Sequence, residues 1–200
     1  MLTVTVAAAS YDLVSLTDAR SAVDATGTSQ DAKIASLITR ASDVISRHCN
    51  RVFRLETVSE QFRLDRMQTD LVLTRYPVAA ITSIIDDTIT LAPTDYEADL
   101  TKGIITRLYN DCVCFWSRRK TTVIYSVGYN ALTDIPPTLQ RACLELVTAY
   151  YNATDRDPLL RSDVVDGLGS KTYYQATEVD LLSPEVRGLL NQFKRFRVGG

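Results

Sequence analysis

The run from Val123 to Tyr151, VIYSVGYNALTDIPPTLQRACLELVTAYY, constrains the fold more than any other part of the chain. It joins two periodicities without a break. Residues 122–127 are rich in β-branched and aromatic side chains and read as a strand. Gly128 ends it, a polar turn follows, and Pro136-Pro137 open an apolar helix, since proline is tolerated in a first helical turn. Leu139, Ala142, Cys143, Leu146, Val147 and Tyr150 give that helix a single apolar stripe. A strand feeding such a helix through a short loop fixes a β layer against a helical layer. The run holds no obvious catalytic group, which points away from enzymes.

The rest of the chain supplies more of both layers. Residues 15–24 read as a short helix capped by Ser15 or Thr17, with Asp18 in its first turn. A stronger helix runs from about Gln30 to Cys49, with Ser29 as its expected cap. Ile34, Leu37, Ile38, Ala41, Ile45 and His48 line one face of it. From Val52 the period shortens. Phe53, Leu55, Phe62 and Leu64 alternate with polar residues, and Leu71-Val72-Leu73 follows. The stretches 81–85 and 88–91 flank a hairpin turn at Asp86-Asp87, and Lys102-Gly103 marks another turn. Several short strands with regular turns predict a small antiparallel sheet or sandwich. After Tyr151 the helical pattern fades and stops at Pro158. Residues 155–180 show no sustained period, Gly167 and Gly169 mark a flexible stretch, and Lys171–Gln175 reads as a short strand. Ser183-Pro184-Glu185 then starts a last helix.

Composition excludes several functions. The chain of 200 residues is 46% apolar and 23% charged, ordinary for a folded protein with a real core. A net charge of -2 argues against a general duplex-DNA binder. The start lacks a signal peptide's basic and long apolar regions, and no stretch reaches transmembrane length, so the expected setting is a cytoplasm or a particle assembled there, with no membrane partner. Cys49, Cys112, Cys114 and Cys143 read as buried free thiols, and no metal-binding spacing occurs. His48 is the one histidine. It neighbours Cys49, but adjacent helical residues diverge by about 100°, which is wrong for a catalytic pair. The acidic clusters at 86–87, 95–99 and 155–157 lack calcium-loop spacing and read as solvated carboxylates. Gly167-Leu168-Gly169 is not a phosphate loop, and Arg118-Arg119-Lys120 reads first as a charged turn. The expectation is no enzyme, no cofactor, no catalytic residue and no metal.

The order of elements and several local strings resemble the head–tail connector, or adaptor, proteins of tailed bacteriophages and phage-like gene transfer particles. LVSLTDARSAV is similar to that family's first helix, and DAKIASLITRASDVISRHCNRVFRL (residues 31–55) to its second. Tyr76-Pro77-Val78, Asp95-Tyr96, Gly103-Ile104-Ile105 and Val127-Gly128-Tyr129 match its β region. Ile135-Pro136-Pro137-Thr138-Leu139 and the helix to Tyr151 match the next helix. Leu182-Ser183-Pro184-Glu185-Val186, then Leu189-Leu190 and Phe193-Lys194-Arg195, resemble its C-terminal arm. The segment 155–158 departs from the pattern.

The fold expected is α+β: a small helical bundle with an inserted antiparallel β-sheet or sandwich and a C-terminal helical arm. Residues 1–155 would form the body, with helices 15–50 and 136–154 and a β insert at 52–130. Residues 156–200 would be a flexible segment and the arm. The resemblance implies a structural protein of the virion neck, present in host cytoplasm during assembly. It would form a ring, usually dodecameric, below the portal protein and extend the channel for double-stranded DNA without sequence-specific binding. It would also present a surface to a head-closure or tail terminator protein. The arm, residues 183–197, would dock on the portal through Val186, Leu189, Leu190, Phe193, Lys194, Arg195, Phe196 and Arg197. Another neck role, head closure or tail completion, stays open. So does a small hydrolase or ligand-binding enzyme built on the β insert, which a protected pocket around His48 would favour.

Overall fold

A computed structural model describes residues 1–153, 162–165, 169–172 and 182–195. The expectations at 155–158, at Gly167 and at Phe196 and Arg197 lie outside the described residues. The chain divides into a β unit, residues 1–10 with 52–130, and a helical unit, residues 11–51 with those from 131 onward. Compactness thus divides it at 10/11, 51/52 and 130/131.

The β unit holds two antiparallel sheets. The larger has strand order β1-β2-β9-β4-β5, formed by β1 (Leu2–Val6), β2 (Glu56–Arg63), β9 (Lys120–Val127), β4 (Val78–Asp86) and β5 (Ile89–Thr90). The smaller has order β3-β7-β6, from β3 (Asp70–Val72), β7 (Ile104–Tyr109) and β6 (Tyr96–Asp99), and β8 (Cys112–Val113) pairs with the end of β7. Side chains alternate across a strand. In β9, Thr121, Val123, Tyr125 and Val127 are buried, and the last three meet Val58, Leu71, Ile84, Ile105 and Trp116 in one apolar core. Gly128 closes the end of β9. Its φ is +98°, and an added Cβ would lie 2.5 Å from the Arg54 carbonyl oxygen, so only glycine fits this close approach. Tyr129 then clasps residues 53–55 through Tyr129 N to Phe53 O (2.7 Å) and Leu55 N to Tyr129 O (3.0 Å).

Three buried carboxylates thread this core. The Tyr125 hydroxyl donates to Glu60 (2.8 Å), as do the Thr74 backbone N–H (2.9 Å) and the Thr74 hydroxyl. Arg75 pairs with Glu56. Asp86 accepts from the hydroxyls of Ser117 (2.5 Å) and Thr121 (2.9 Å). The expected solvated turn at Asp86-Asp87 is therefore shifted by one residue. Asp87 takes φ +60° in the turn, and Asp86 is the last, inward residue of β4. The thiol expectation also needs correction. Cys49 and Cys143 are buried, but Cys112 is exposed because β8 is a short outer strand beyond the Asn110-Asp111 turn.

The helical unit packs α1 (Leu16–Ala22), α2 (Asp31–Cys49), α3 (Pro137–Ala153) and α4 (Pro184–Leu190). Ser15 caps α1 by accepting from the Asp18 N–H (3.1 Å). For α2 the cap is Gln30 rather than Ser29, and it makes no side-chain bond to the helix. At the other end Asn50 enters the left-handed region. The N–H groups of Asn50 and Arg51 turn back to the carbonyls of Arg47 (3.1 Å) and Ser46 (3.0 Å), which satisfies the last turn. Ile34, Ile38, Ala41, Ser42, Ile45 and Cys49 form the buried stripe of α2, and Leu139, Ala142, Cys143, Leu146 and Val147 that of α3. The two run antiparallel: Ser42 lies 3.7 Å from Cys143, and the Tyr151 hydroxyl donates to Gln30 (2.7 Å). A two-stranded antiparallel ribbon, β10 (Ser162–Val165) and β11 (Gly169–Thr172), precedes α4.

Candidate partner-binding surface

The C-terminal segment is the expected docking element, and its local chemistry explains its shape. Ser183 is the N-cap and accepts from the Val186 N–H (3.3 Å). Pro184 opens the first turn, where its missing N–H costs nothing, and Glu185 sits by the positive end of the helix. The helix is shorter than the expected 183–197. It ends at Leu190, a 3-10 turn spans Asn191–Phe193, and Lys194 is extended.

The expected stripe is divided between two environments. Leu182, Val186 and Leu190 recur every four residues and are buried within the helical unit, Val186 at 2% and Leu190 at 0% exposure. They hold α4 against its own unit. The Leu190 carbonyl lies 4.0 Å from the Cys49 thiol, and Arg141 of α3 reaches Glu185 at 3.5 Å. Leu189 and Phe193 are half-buried, Lys194 is exposed and Arg195 is half-buried. The Arg195 N–H donates to the Cys49 carbonyl (2.9 Å), so these basic residues adjoin the negative end of α2 rather than continuing α4.

This arrangement gathers cations around the end of α2. Burial, then Lys194 and Arg187, push the His48 pKa below its ordinary value, so His48 is neutral near pH 7. Burial raises the Cys49 thiol to about 11, despite nearby Arg51 and Lys194. A neutral buried thiol beside a neutral imidazole is the reverse of an activated thiolate–imidazolium pair. A shallow depression at Thr17, Arg20 and Ser21 of α1 and Asp24, Ala25 and Thr26 after it does not include His48. In the β unit, Arg119 is paired with Asp87 (2.9 Å), and Arg118 donates to the Asp65 carbonyl (3.2 Å). No helix among the described residues is long and apolar enough to cross a membrane.

A family model described as head completion protein matches residues 12–196. The chain belongs to the head completion protein family. The resemblance to head–tail connectors read from the sequence is thereby borne out. Solved structures share the fold. A chain in the neck of an empty GTA particle, computed with C6 symmetry, is 18% identical with a TM-score of 0.63; the match covers 100% of this chain and 98% of that one. A chain in the neck of a native GTA particle, computed with C12 symmetry, is 16% identical with a TM-score of 0.63 and the same coverage. A third, from the virion of a native gene transfer agent particle, is 16% identical with a TM-score of 0.62, again with coverage of 100% and 98%. No curated protein sequence matches the chain. The family match takes in α1 through the segment after α4.

Proposed function

We propose that this chain is a structural, non-enzymatic protein of the neck of a tailed phage or phage-like particle, where copies form a ring below the portal and extend the DNA channel. The observation that carries this reading is the family match over residues 12–196, spanning both units. The full-length likeness to neck chains from reconstructions with C6 and C12 symmetry supports a ring. Duplex DNA passes through without sequence-specific contacts, and the far side of the ring meets a head-closure or tail terminator protein.

The portal contact is assigned to the outer edge of the C-terminal segment. Leu189 and Phe193 supply half-buried apolar surface, and Lys194 and Arg195 supply charge. Val186 and Leu190 act from below, seating α4 on its unit. Repetition around a ring adds avidity to a modest single contact. Deleting 183–200 would strip cover from Cys49 and α3, so substitutions give the cleaner test. Leu189→Asp with Phe193→Asp should leave the helical CD signal intact and reduce incorporation into portal-bearing capsids at least ~10-fold, since two apolar anchors at ~1.5 kcal/mol each exceed one decade. Wild-type incorporation by that variant would refute the portal contact. A protein absent from purified particles, or monomeric both alone and on capsids, would refute the neck reading itself.

A further inference from the structure

Two surfaces of the β unit carry opposite chemistry. In the small sheet Leu71, Ile105 and Ala98 face the core, so their strand neighbours face outward. Strand register places Asp70, Thr106 and Glu97 in one row on that outer face, and Val72, Ile104 and Asp99 in the next. The face is acidic and apolar: Val72 is 64% exposed, and Asp70, Glu97 and Asp99 are all exposed, with Lys102 pairing Asp99 (3.1 Å) and leaving Asp70 and Glu97 as its net negative charge. The second surface lies where two loops meet. Trp116 N–H donates to the Gln68 carbonyl (3.0 Å), and Arg118 to that of Asp65 (3.2 Å), which zips residues 65–68 to 116–118. Arg63 and Lys120 are paired across β2 and β9 at the same end. Arg63, Arg66, Arg118 and Lys120 are exposed there, with Asp65 the one acid in these loops. Among them Met67 and Phe115 stand out at 64% and 60% exposure.

We infer that copies of this chain associate head to tail through their β units, the basic loops of one copy seated on the acidic outer face of the small sheet of the next. The inference rests on the ring reading above and names the contact that builds it. Each surface repels itself and suits the other, and each copy offers one of each. Such a contact is heterologous and propagates until rotation closes a ring. The loops fit a protein face better than duplex DNA. Phosphates would use the arginines but leave Met67 and Phe115 uncovered, whereas Val72 and Ile104 give those side chains an apolar seat. Opposite charge steers encounter and excludes the wrong register.

Reciprocal charge reversal tests the contact. Arg66→Glu with Arg118→Glu makes the loops acidic; Asp70→Lys with Glu97→Lys makes the face basic and leaves the apolar seat in place. Each variant alone, shown to be folded by CD, should form rings at least ten-fold less than wild type by mass photometry, in the free protein or on portal-bearing capsids. An equimolar mixture should recover rings, because the variants then alternate with matched charges. Wild-type rings should also loosen as salt rises. Rings formed normally by both variants would overturn the contact while leaving the ring reading intact. Loss of ring formation in both without recovery in the mixture would also overturn the contact. Wild-type protein that forms no ring in either setting would overturn both. Duplex-DNA retention that is abolished by the arginine reversals while rings persist would assign the loops to nucleic acid instead.

Discussion

The β unit buries three carboxylates, Glu56, Glu60 and Asp86, whereas the helical unit buries two thiols, Cys49 and Cys143. The difference shows how each unit resists change. A buried carboxylate is tolerable only while its donors stay in place, and its removal strands those donors without water. A buried thiol behaves as a small apolar group and binds little to its surroundings. The β unit therefore depends on a few exact polar contacts, and the helical unit on the fit of stripes from α2, α3 and α4. The two report separately. Trp116, the one tryptophan, is buried in the β unit, while the helices dominate the CD signal at 222 nm.

The largest expected effect is Glu60→Ala. It orphans the buried Tyr125 hydroxyl and removes the two charge-assisted bonds from the exposed Thr74, at a cost of about 4 kcal/mol. The Trp116 fluorescence transition in urea should move far more than the CD transition, and Glu60→Gln should recover part of the loss. Equal shifts in both probes would dissolve the distinction between the units. Next is Gly128→Ala, worth about 3 kcal/mol because the new Cβ meets the Arg54 carbonyl in a left-handed backbone. It too should register first in fluorescence. In the helical unit Leu190→Ala should cost about 2 kcal/mol, and the CD transition should lead. Were Leu190→Ala silent, α4 would not be seated as described.

Smaller effects separate the units by pH. Burial raises the Cys49 thiol to about 11 and the Cys143 thiol to about 12. The folded state thus favours the neutral thiol, and this contribution is complete below the ordinary thiol value of 9.0. It is lost as pH rises from there through the folded values, because the unfolded chain releases those protons first. Thermal melts followed by CD should weaken over that window, less so in Cys143→Ala. His48 works in the opposite direction. Its lowered pKa gives stability that is present above 6.5 and lost as pH falls through the folded value. His48→Asn should flatten that slope slightly.

Much of the helical unit was legible because a helix announces its buried side locally. The stripes of α2 and α3 follow from spacing alone, and the strand at 122–127 from its β-branched run. What escaped depends on distant partners. Residues 2–6 look like a mild apolar start, and only pairing with β2 makes them a strand. Glu56 and Glu60 face inward, which breaks the alternation that would mark β2, and the donors that permit this come from Thr74, Arg75 and Tyr125. The Asn110-Asp111 pair did carry a readable signal: both residues adopt positive φ, as tight hairpin turns require. At the C-terminus the sequence shows an apolar stripe but not what covers it. Val186 and Leu190 are claimed by their own unit, leaving Leu189 and Phe193 at its edge.

The clasp between Tyr129 and residues 53–55 bears on how the molecule assembles. The helical unit needs α2 to find α3, yet residues 52–130 of the β unit are inserted between them. Closing an open loop of roughly 80 residues, rather than one of a few, costs about 2–3 kcal/mol more in chain entropy. Once the insert has folded, its two ends are hydrogen-bonded together and that long excursion is already closed. Docking of α2 with α3 then becomes an encounter between near neighbours. The order of events would be set by the insert: a β unit that folds first hastens the helices, and one that is slow delays them.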